Sequence, residues 1–149
     1  DAIYVGGGNT RSMIAVWREW NLDHILREAY EKGIVLGGAS AGSICWFEQG
    51  VTDSVAVALT AMPCLGILKG SNCPHYNSEP LRRPTYRKFV ASGKIMEGMA
   101  ADDGVALHFV NGKLKLAVSS MPRAKAWRVA RKNNTFVEKA LPTRYLGRR

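Results

Sequence analysis

"GGASAGSICWF", residues 37–47, follows the apolar run "IVL" at residues 34–36. Within it, Gly38, Ser40 and Gly42 fit the pattern G-x-S-x-G, which places a serine on a sharp turn between a strand and a helix. A strained serine at such a turn leaves no room for side chains two positions before and after it, so glycine suits both. The stretch predicts either a nucleophilic Ser40 or a tight packing corner.

The segments around this turn indicate an α/β fold. Residues 3–7, "IYVGG", read as a short buried strand that ends in glycines, and Asn9 or Thr10 can cap a following helix. The spacing of Met13, Val16, Trp17 and Trp20 predicts an apolar stripe on that helix. A second helix over residues 22–31 and the strand 34–38 complete an alternation of strands and helices, which is typical of a mostly parallel sheet.

The second half of the chain has a different pattern. We expect a strand at 65–70, a polar loop at 71–84 and a helix at 85–92. Asn111-Gly112 separates two alternating apolar runs, which predicts a β-hairpin, and a second hairpin is expected to turn at Asn133-Asn134. Residues 1–149 are interpreted as one domain, either whole or partial.

The charge of the chain is unevenly distributed. The net charge of +9 divides into −3 for residues 1–81 and +12 for residues 82–149. A basic half raises the alternative of a non-catalytic basic binding module. The basic residues are dispersed and no RRM, KH or zinc-finger pattern accompanies them, so a solvated surface is favoured and no nucleic-acid partner is expected.

Composition also predicts where the protein resides. No apolar run approaches the ~18 residues of a membrane span, and no signal-peptide pattern is visible, so no membrane association is expected. The three cysteines are an odd number without paired spacing. They favour reduced thiols and a cytoplasmic location.

A nucleophilic serine needs a base, and the sequence offers three histidines. His24 falls on the polar side of a predicted helix, and His108 lies within an alternating strand. His75 follows a predicted strand in a loop, where ligand sites of open α/β sheets form, and is favoured. Cys73 and His75 alone make a weak metal site, and we expect neither a metal nor a cofactor.

The histidine in turn needs a carboxylate. Asp102 and Asp103 stand at a strand-turn boundary in "AADDGVA", and Asp53 is a further candidate. An Asp-Gly pair also forms turns without any catalytic role. The residues alone leave the choice open.

Four motifs in one order carry a family resemblance: "YVGGGNT" at 4–10, "GGASAGS" at 37–43, "CPHY" at 73–76 and "DDG" at 102–104. Up to about Gly112 the chain closely resembles the peptidase E group of S51 serine peptidases, the α-aspartyl dipeptidases. The resemblance implies a three-layer αβα fold of the class I glutamine-amidotransferase type. Family members carry further strand-helix units before the first motif, so the chain is expected to be N-terminally short relative to them.

The resemblance also assigns roles to residues. It implies that Ser40 is the nucleophile, that His75 is the base and that Asp103 is the acidic third member. Gly8 and the Ala41 amide match the oxyanion hole. Arg82 or Arg83 is expected to hold the aspartyl carboxylate of the substrate, and Asn9 is a further substrate-binding candidate.

The expected function is hydrolysis of short peptides with an N-terminal aspartate. The partner is therefore a small peptide with an acidic first residue, and a homodimer is possible. A cyanophycinase-like hydrolase acting on aspartate-rich polymer is the alternative within the family, beside the non-catalytic binding module already named.

Overall fold

The computed structural model describes residues 1–55 and 58–147. None of the helices in this part of the chain is long and apolar enough to cross a membrane. The elements, in chain order, are β1 (Ala2–Val5), α1 (Thr10–Glu19), α2 (Leu22–Glu31), β2 (Val35–Gly38), α3 (Ala41–Ile44), β3 (Phe47–Thr52), β4 (Thr60–Pro63), β5 (Leu68–Cys73), α4 (Arg82–Ser92), β6 (Gly98–Ala101), β7 (Val105–Val110), β8 (Lys113–Ser119), β9 (Ala126–Lys132), β10 (Thr135–Leu141) and β11 (Thr143–Tyr145).

The central sheet has six strands in the order β10-β9-β6-β5-β3-β4. Its middle strands β3, β5 and β6 are parallel, whereas β4, β9 and β10 add antiparallel edges. β1 and β2 form a separate parallel pair, and β11-β8-β7 form a third sheet. The predicted α/β class with a parallel sheet centre is confirmed, and the antiparallel strands lie at the sheet's edges.

Helices cover both faces of the central sheet. Neighbouring residues of β5 point to opposite faces, as they do in any strand. On one face, Ser43 of α3 donates a hydrogen bond to Asn72 (2.9 Å). On the other, the hydroxyls of Ser71 and Tyr86 of α4 are 2.7 Å apart. The arrangement is therefore a helix-sheet-helix sandwich, which agrees with the expected three layers.

Both C-terminal hairpins form where the sequence predicts them. The first turns at Asn111 and Gly112, with φ of 50° and 71°, and the second at Asn133 and Asn134, with φ of 46° and 61°. Two successive residues with positive φ match the right-handed twist of the flanking strands, and asparagine and glycine tolerate that backbone best. β9 also pairs with β6, so the second hairpin extends the central sheet.

Some boundaries differ from expectation. The strand predicted at 65–70 runs from Leu68 to Cys73, and the helix predicted at 85–92 begins at Arg82. Pro84 lies in the first turn of that helix, where a backbone N–H has no partner in any case, so it does not delay the start.

The buried face of α1 is also shifted from the predicted stripe. Ile14 is buried, and Met13 and Trp17 pack against the same core. Val16 and Trp20 are 55% and 77% exposed. The predicted stripe therefore contains two residues that face solvent, and the helix packs through the side centred on Ile14.

Candidate active site

Ser40 lies on the turn between β2 and α3 with φ 55° and ψ −118°. A non-glycine residue rarely adopts positive φ, and such strain persists only where the surrounding structure imposes it. A Cβ atom at Gly38 would overlap Gly42 O and Val5 O, and one at Gly42 would also overlap Val5 O. Both flanking glycines are therefore required by close packing against β1, and the serine is held outward.

His75 and Asp103 come to this serine from two neighbouring strands. His75 follows the end of β5 and Asp103 follows the end of β6, and these strands are parallel. His75 Nε2 lies 3.0 Å from Ser40 Oγ, and His75 Nδ1 lies 2.8 Å from Asp103 Oδ1. The three side chains form a continuous hydrogen-bonded array in which the imidazole bridges a hydroxyl and a carboxylate.

The structure separates His75 from the other two histidines. His24 is exposed on α2, and His108 is exposed on β7. Neither lines the cavity that contains Ser40. His75 is the histidine that the structure places against the serine.

It also separates the three candidate carboxylates. Asp102 accepts hydrogen bonds from the Trp127 indole (3.0 Å) and the Lys125 amide (2.9 Å), so it ties the turn to the second hairpin. Asp53 lies 4.0 Å from Arg82. Asp103 alone of the three contacts the imidazole of His75.

The surroundings of Asp103 keep it anionic. A hydrogen bond from Ser78, followed by the contact with His75, holds the pKa of the Asp103 carboxyl below its usual range despite partial burial. The Asp103 N–H also donates to Asn77 Oδ1 (2.8 Å). Asn77 and Ser78 were not predicted as site residues. The signal available in the sequence was the polar pair in "HYNS", which begins two residues after the proposed base.

The glycine loop after β1 packs against the serine. A Cβ at Gly7 would lie 3.2 Å from Ser40 Cβ, and Gly8 has a φ of 145°, which other residues rarely adopt. Ala41, the residue after the serine, opens α3, where the helix itself supplies no acceptor for its N–H. Gly8 therefore follows the glycine that packs on Ser40, and Ala41 directly follows Ser40 in the chain.

A cavity of about 510 Å³ surrounds this array. Its volume falls within the range of sites for small ligands. Tyr4, Leu36 and Phe109 contribute to its apolar wall, and Asp102 and Asp103 are acidic residues in it. Among the described residues that line it there is no arginine or lysine.

Most of the chain is similar to a known peptidase family. The model of peptidase family S51 matches residues 1–117. The chain belongs to peptidase family S51. It is 54% identical over 147 residues to the uncharacterized peptidase YgaJ of Bacillus subtilis (strain 168), an alignment that covers 99% of this chain and 64% of that protein.

A second relative is more distant. The uncharacterized peptidase Lmo0363 of Listeria monocytogenes serovar 1/2a is 30% identical over 93 residues, which cover 58% of this chain and 45% of that protein. The S51 chain thus spans less than two thirds of the length of either curated relative.

The arginines predicted to bind substrate have other partners in this S51 chain. Arg82 is 3% exposed, and it donates hydrogen bonds to Glu79 (2.6 Å) and to the carbonyl of Val51 (2.7 Å). Arg83 pairs with Glu138 and stacks over the Trp127 ring at 4.2 Å. Neither lines the Ser40 cavity, because α4 begins at Arg82 and turns both side chains into contacts within the protein.

Asn9 is similarly occupied. Its side-chain oxygen accepts from the Ser12 amide (2.9 Å), which caps α1, and its Nδ2 donates to the Ser54 carbonyl (3.3 Å). The helix-capping alternative is therefore the role that the structure gives this residue. The predicted substrate contact finds no geometric support, since Asn9 does not line the cavity.

Proposed function

We propose that this S51 chain is a serine-type peptidase whose nucleophile is Ser40. The observation that carries the proposal is the array in which His75 lies 3.0 Å from the Ser40 hydroxyl and 2.8 Å from Asp103. These distances suit transfer of the hydroxyl proton to the imidazole. The strained, outward turn at Ser40 is the backbone setting that such a nucleophile requires.

In the proposed reaction, His75 Nε2 accepts the Ser40 proton as Oγ attacks the carbonyl carbon of the scissile peptide. The imidazolium then protonates the leaving amine, and the C–N bond breaks to leave an ester on Ser40. Water hydrolyses that ester with His75 again acting as base. Asp103 keeps the proton on Nδ1 and stabilises the imidazolium that forms.

The negative oxygen that develops on the carbonyl needs hydrogen-bond donors. We assign this role to the amides of Gly8 and Ala41. The Ala41 N–H directly follows the nucleophile, and the glycine loop packs on Ser40 through Gly7. Fixed donors of this kind stabilise the charged intermediate without reorganisation during the reaction.

The proposed substrates are short peptides with an N-terminal aspartate. The preference rests on the four motifs shared with the α-aspartyl dipeptidases. The small cavity favours a short substrate, and the acidic residues in its wall favour a free α-ammonium group. Recognition of the aspartyl side chain is tested separately, because Arg82 and Arg83 are held by partners within the chain.

Labelling and kinetics test the proposal together. A fluorophosphonate should modify Ser40 in the wild type and not in Ser40→Ala, while Ser92→Ala, at the end of α4, should label normally. Values of kcat/KM for Asp-X, Asn-X and Ala-X dipeptides should be highest for Asp-X. Absence of labelling would instead support the basic binding module. Cleavage of an aspartate-rich polymer in preference to Asp-X would support the cyanophycinase-like alternative.

A further inference from the structure

The C-terminal segment, residues 118–149, lies beyond the part of the chain that the S51 family model matches. It holds nine arginines and lysines and one acidic residue, Glu138. The Glu138 side chain is 7% exposed, and its carboxylate binds the Arg83 and Arg87 guanidinium groups of α4. The sequence of the segment therefore provides no further acidic side chain to neutralise its cations.

Three of these cations line one cavity of about 460 Å³, which we term the basic cavity: Arg123, Lys125 and Lys139. In the part of the chain that the structure describes, their side chains form no ion pair or hydrogen bond. Other cations of the segment are engaged, since Arg128 pairs with Glu97 (2.9 Å) and Arg131 donates to Asn134 (2.8 Å). Arg123, Lys125 and Lys139 thus place three unpaired cations on the wall of one cavity.

We propose that the basic cavity binds a small phosphate-bearing molecule. Three like charges on one concave surface repel one another, and a polyvalent oxyanion removes that repulsion. Arginine and lysine both bind phosphate oxygens, arginine through paired N–H donors. The walls also include Leu141 and Pro142, which offer apolar contact to the organic part of such a ligand.

The wall of the basic cavity is joined to the turn that carries Asp103. The Lys125 amide donates to Asp102 Oδ2 (2.9 Å), and the Asp102 amide donates to the Lys125 carbonyl (3.1 Å). On the other side of Asp103, the Ser120 amide donates to the Gly104 carbonyl (2.9 Å). A ligand that immobilises residues 119–125 therefore stabilises both neighbours of Asp103, which couples the basic cavity to the Ser40 site.

Calorimetric titration with pyrophosphate, at constant ionic strength, tests the binding. The variant Arg123→Gln/Lys125→Gln/Lys139→Gln should bind at least tenfold more weakly, because each exposed ion pair contributes up to ~1 kcal/mol, or about fivefold. The control Lys113→Gln/Lys115→Gln/Lys132→Gln removes the same charge from exposed positions outside the cavity and should bind within about twofold of wild type. Equal losses in the two variants, or no saturable binding to the wild type, would overturn the site.

Hydrogen exchange tests the coupling without reference to hydrolysis. Saturating pyrophosphate should slow exchange of the Asp102 and Ser120 amides, in Ser40→Ala as well as in wild type, and should not do so in the cavity triple variant. If pyrophosphate binds and these two amides exchange at their original rates, the coupling is wrong. Melting temperatures of the variants verify that each is folded, so that a lost signal reports the cavity itself.

Discussion

Two clusters of charged side chains in this molecule are built in opposite ways. At the Ser40 site, the side chain of Asp103 is 41% exposed. One ring nitrogen of His75 contacts this carboxylate, and the other contacts the Ser40 hydroxyl. Against α4, Glu138 of β10 has a side chain that is 7% exposed and accepts hydrogen bonds from Tyr76, Arg83 and Arg87. The first cluster leaves capacity for a reactant, whereas the second is saturated by its own chain.

The difference is visible in the electrostatics as well. Burial raises the pKa of Glu138, but hydrogen bonds from Arg87, Arg83 and Tyr76 outweigh it and lower the value to about 2. The Arg83 guanidinium also lies over the rings of Tyr76 and Trp127, 5.2 and 4.2 Å from their centroids. Such a cluster fixes the helix to the sheet. Both carboxyl groups have a lowered pKa. The one whose lone pairs are all occupied by protein donors stabilises the fold, whereas the one that faces an open cavity can take part in catalysis.

Loss of the nucleophile should give the largest effect. In Ser40→Ala we expect kcat/KM on Asp-X dipeptides to fall by roughly 10⁴-fold or more, because removal of a triad nucleophile eliminates covalent catalysis. The melting temperature should change little, since the turn is fixed by Gly38 and Gly42. Retention of more than about 1% of wild-type activity would contradict the proposed role, because catalysis without the nucleophile falls far below that level.

Loss of the Asp103 carboxylate should give the next largest effect. Asp103→Asn should lower kcat by roughly 10³- to 10⁴-fold, because an amide favours the wrong tautomer of the histidine. Asp102→Asn is the matched control, because the Asp102 carboxylate of the wild type binds Trp127 and Lys125 rather than His75. We expect that change to lower the melting temperature more than kcat. An equal fall in kcat for the two variants would show that His75 is oriented by the turn as a whole.

Changes in the cluster of Glu138, Arg83 and Arg87 should alter the free energy of unfolding. Glu138→Gln leaves two guanidinium groups without their carboxylate and should destabilise the protein by about 3 kcal/mol. For a chain of this size, that lowers Tm by roughly 6–12 °C. Glu97→Gln breaks the pair with Arg128, whose side chains are 49% and 45% exposed, and should cost less than about 1 kcal/mol. Similar Tm values for both variants would remove the distinction between the clusters.

The smallest effect is the dependence of that stability on pH. Glu138 has a folded-state pKa of about 2 against an ordinary value of 4.5, so its contribution is full above about pH 4.5 and is lost as pH falls toward 2. Denaturant titrations at pH 6 and pH 2.5 measure the free energy of unfolding of wild type and Glu138→Gln. The difference between the two proteins should be smaller at pH 2.5. The lowered pKa of Asp103 acts in the same direction and is common to both proteins. If the difference in free energy of unfolding is unchanged at pH 2.5, the stabilisation comes from packing alone.

Local features of the site could be predicted from the sequence because their causes are local. The turn at Ser40 follows from glycines two residues away, and the hairpins follow from residues that accept positive φ. His75 could be selected from three histidines because it follows a strand. The parallel order of β3, β5 and β6 then brings the ends of those strands together, as expected for an α/β sheet.

The contacts that the sequence does not reveal depend on distant partners. Arg83 binds Glu138, 55 residues away, and Arg82 binds the carbonyl of Val51, 31 residues away. In the sequence, Glu138 is one polar residue in an alternating strand, which normally indicates a solvated position. The choice between Asp102 and Asp103 likewise required the pairing of β6 with β9, which brings Trp127 to Asp102.

That pairing also determines which strand forms the margin of the sheet. Without β9, β6 would expose a row of free backbone donors and acceptors around the fully buried Ala100, which invites pairing with another molecule. The second hairpin moves the margin to β10, where Lys139 is exposed. A cation on an edge strand opposes the docking of a further strand. The hairpin that secures the turn of Asp103 therefore also protects the sheet against aggregation.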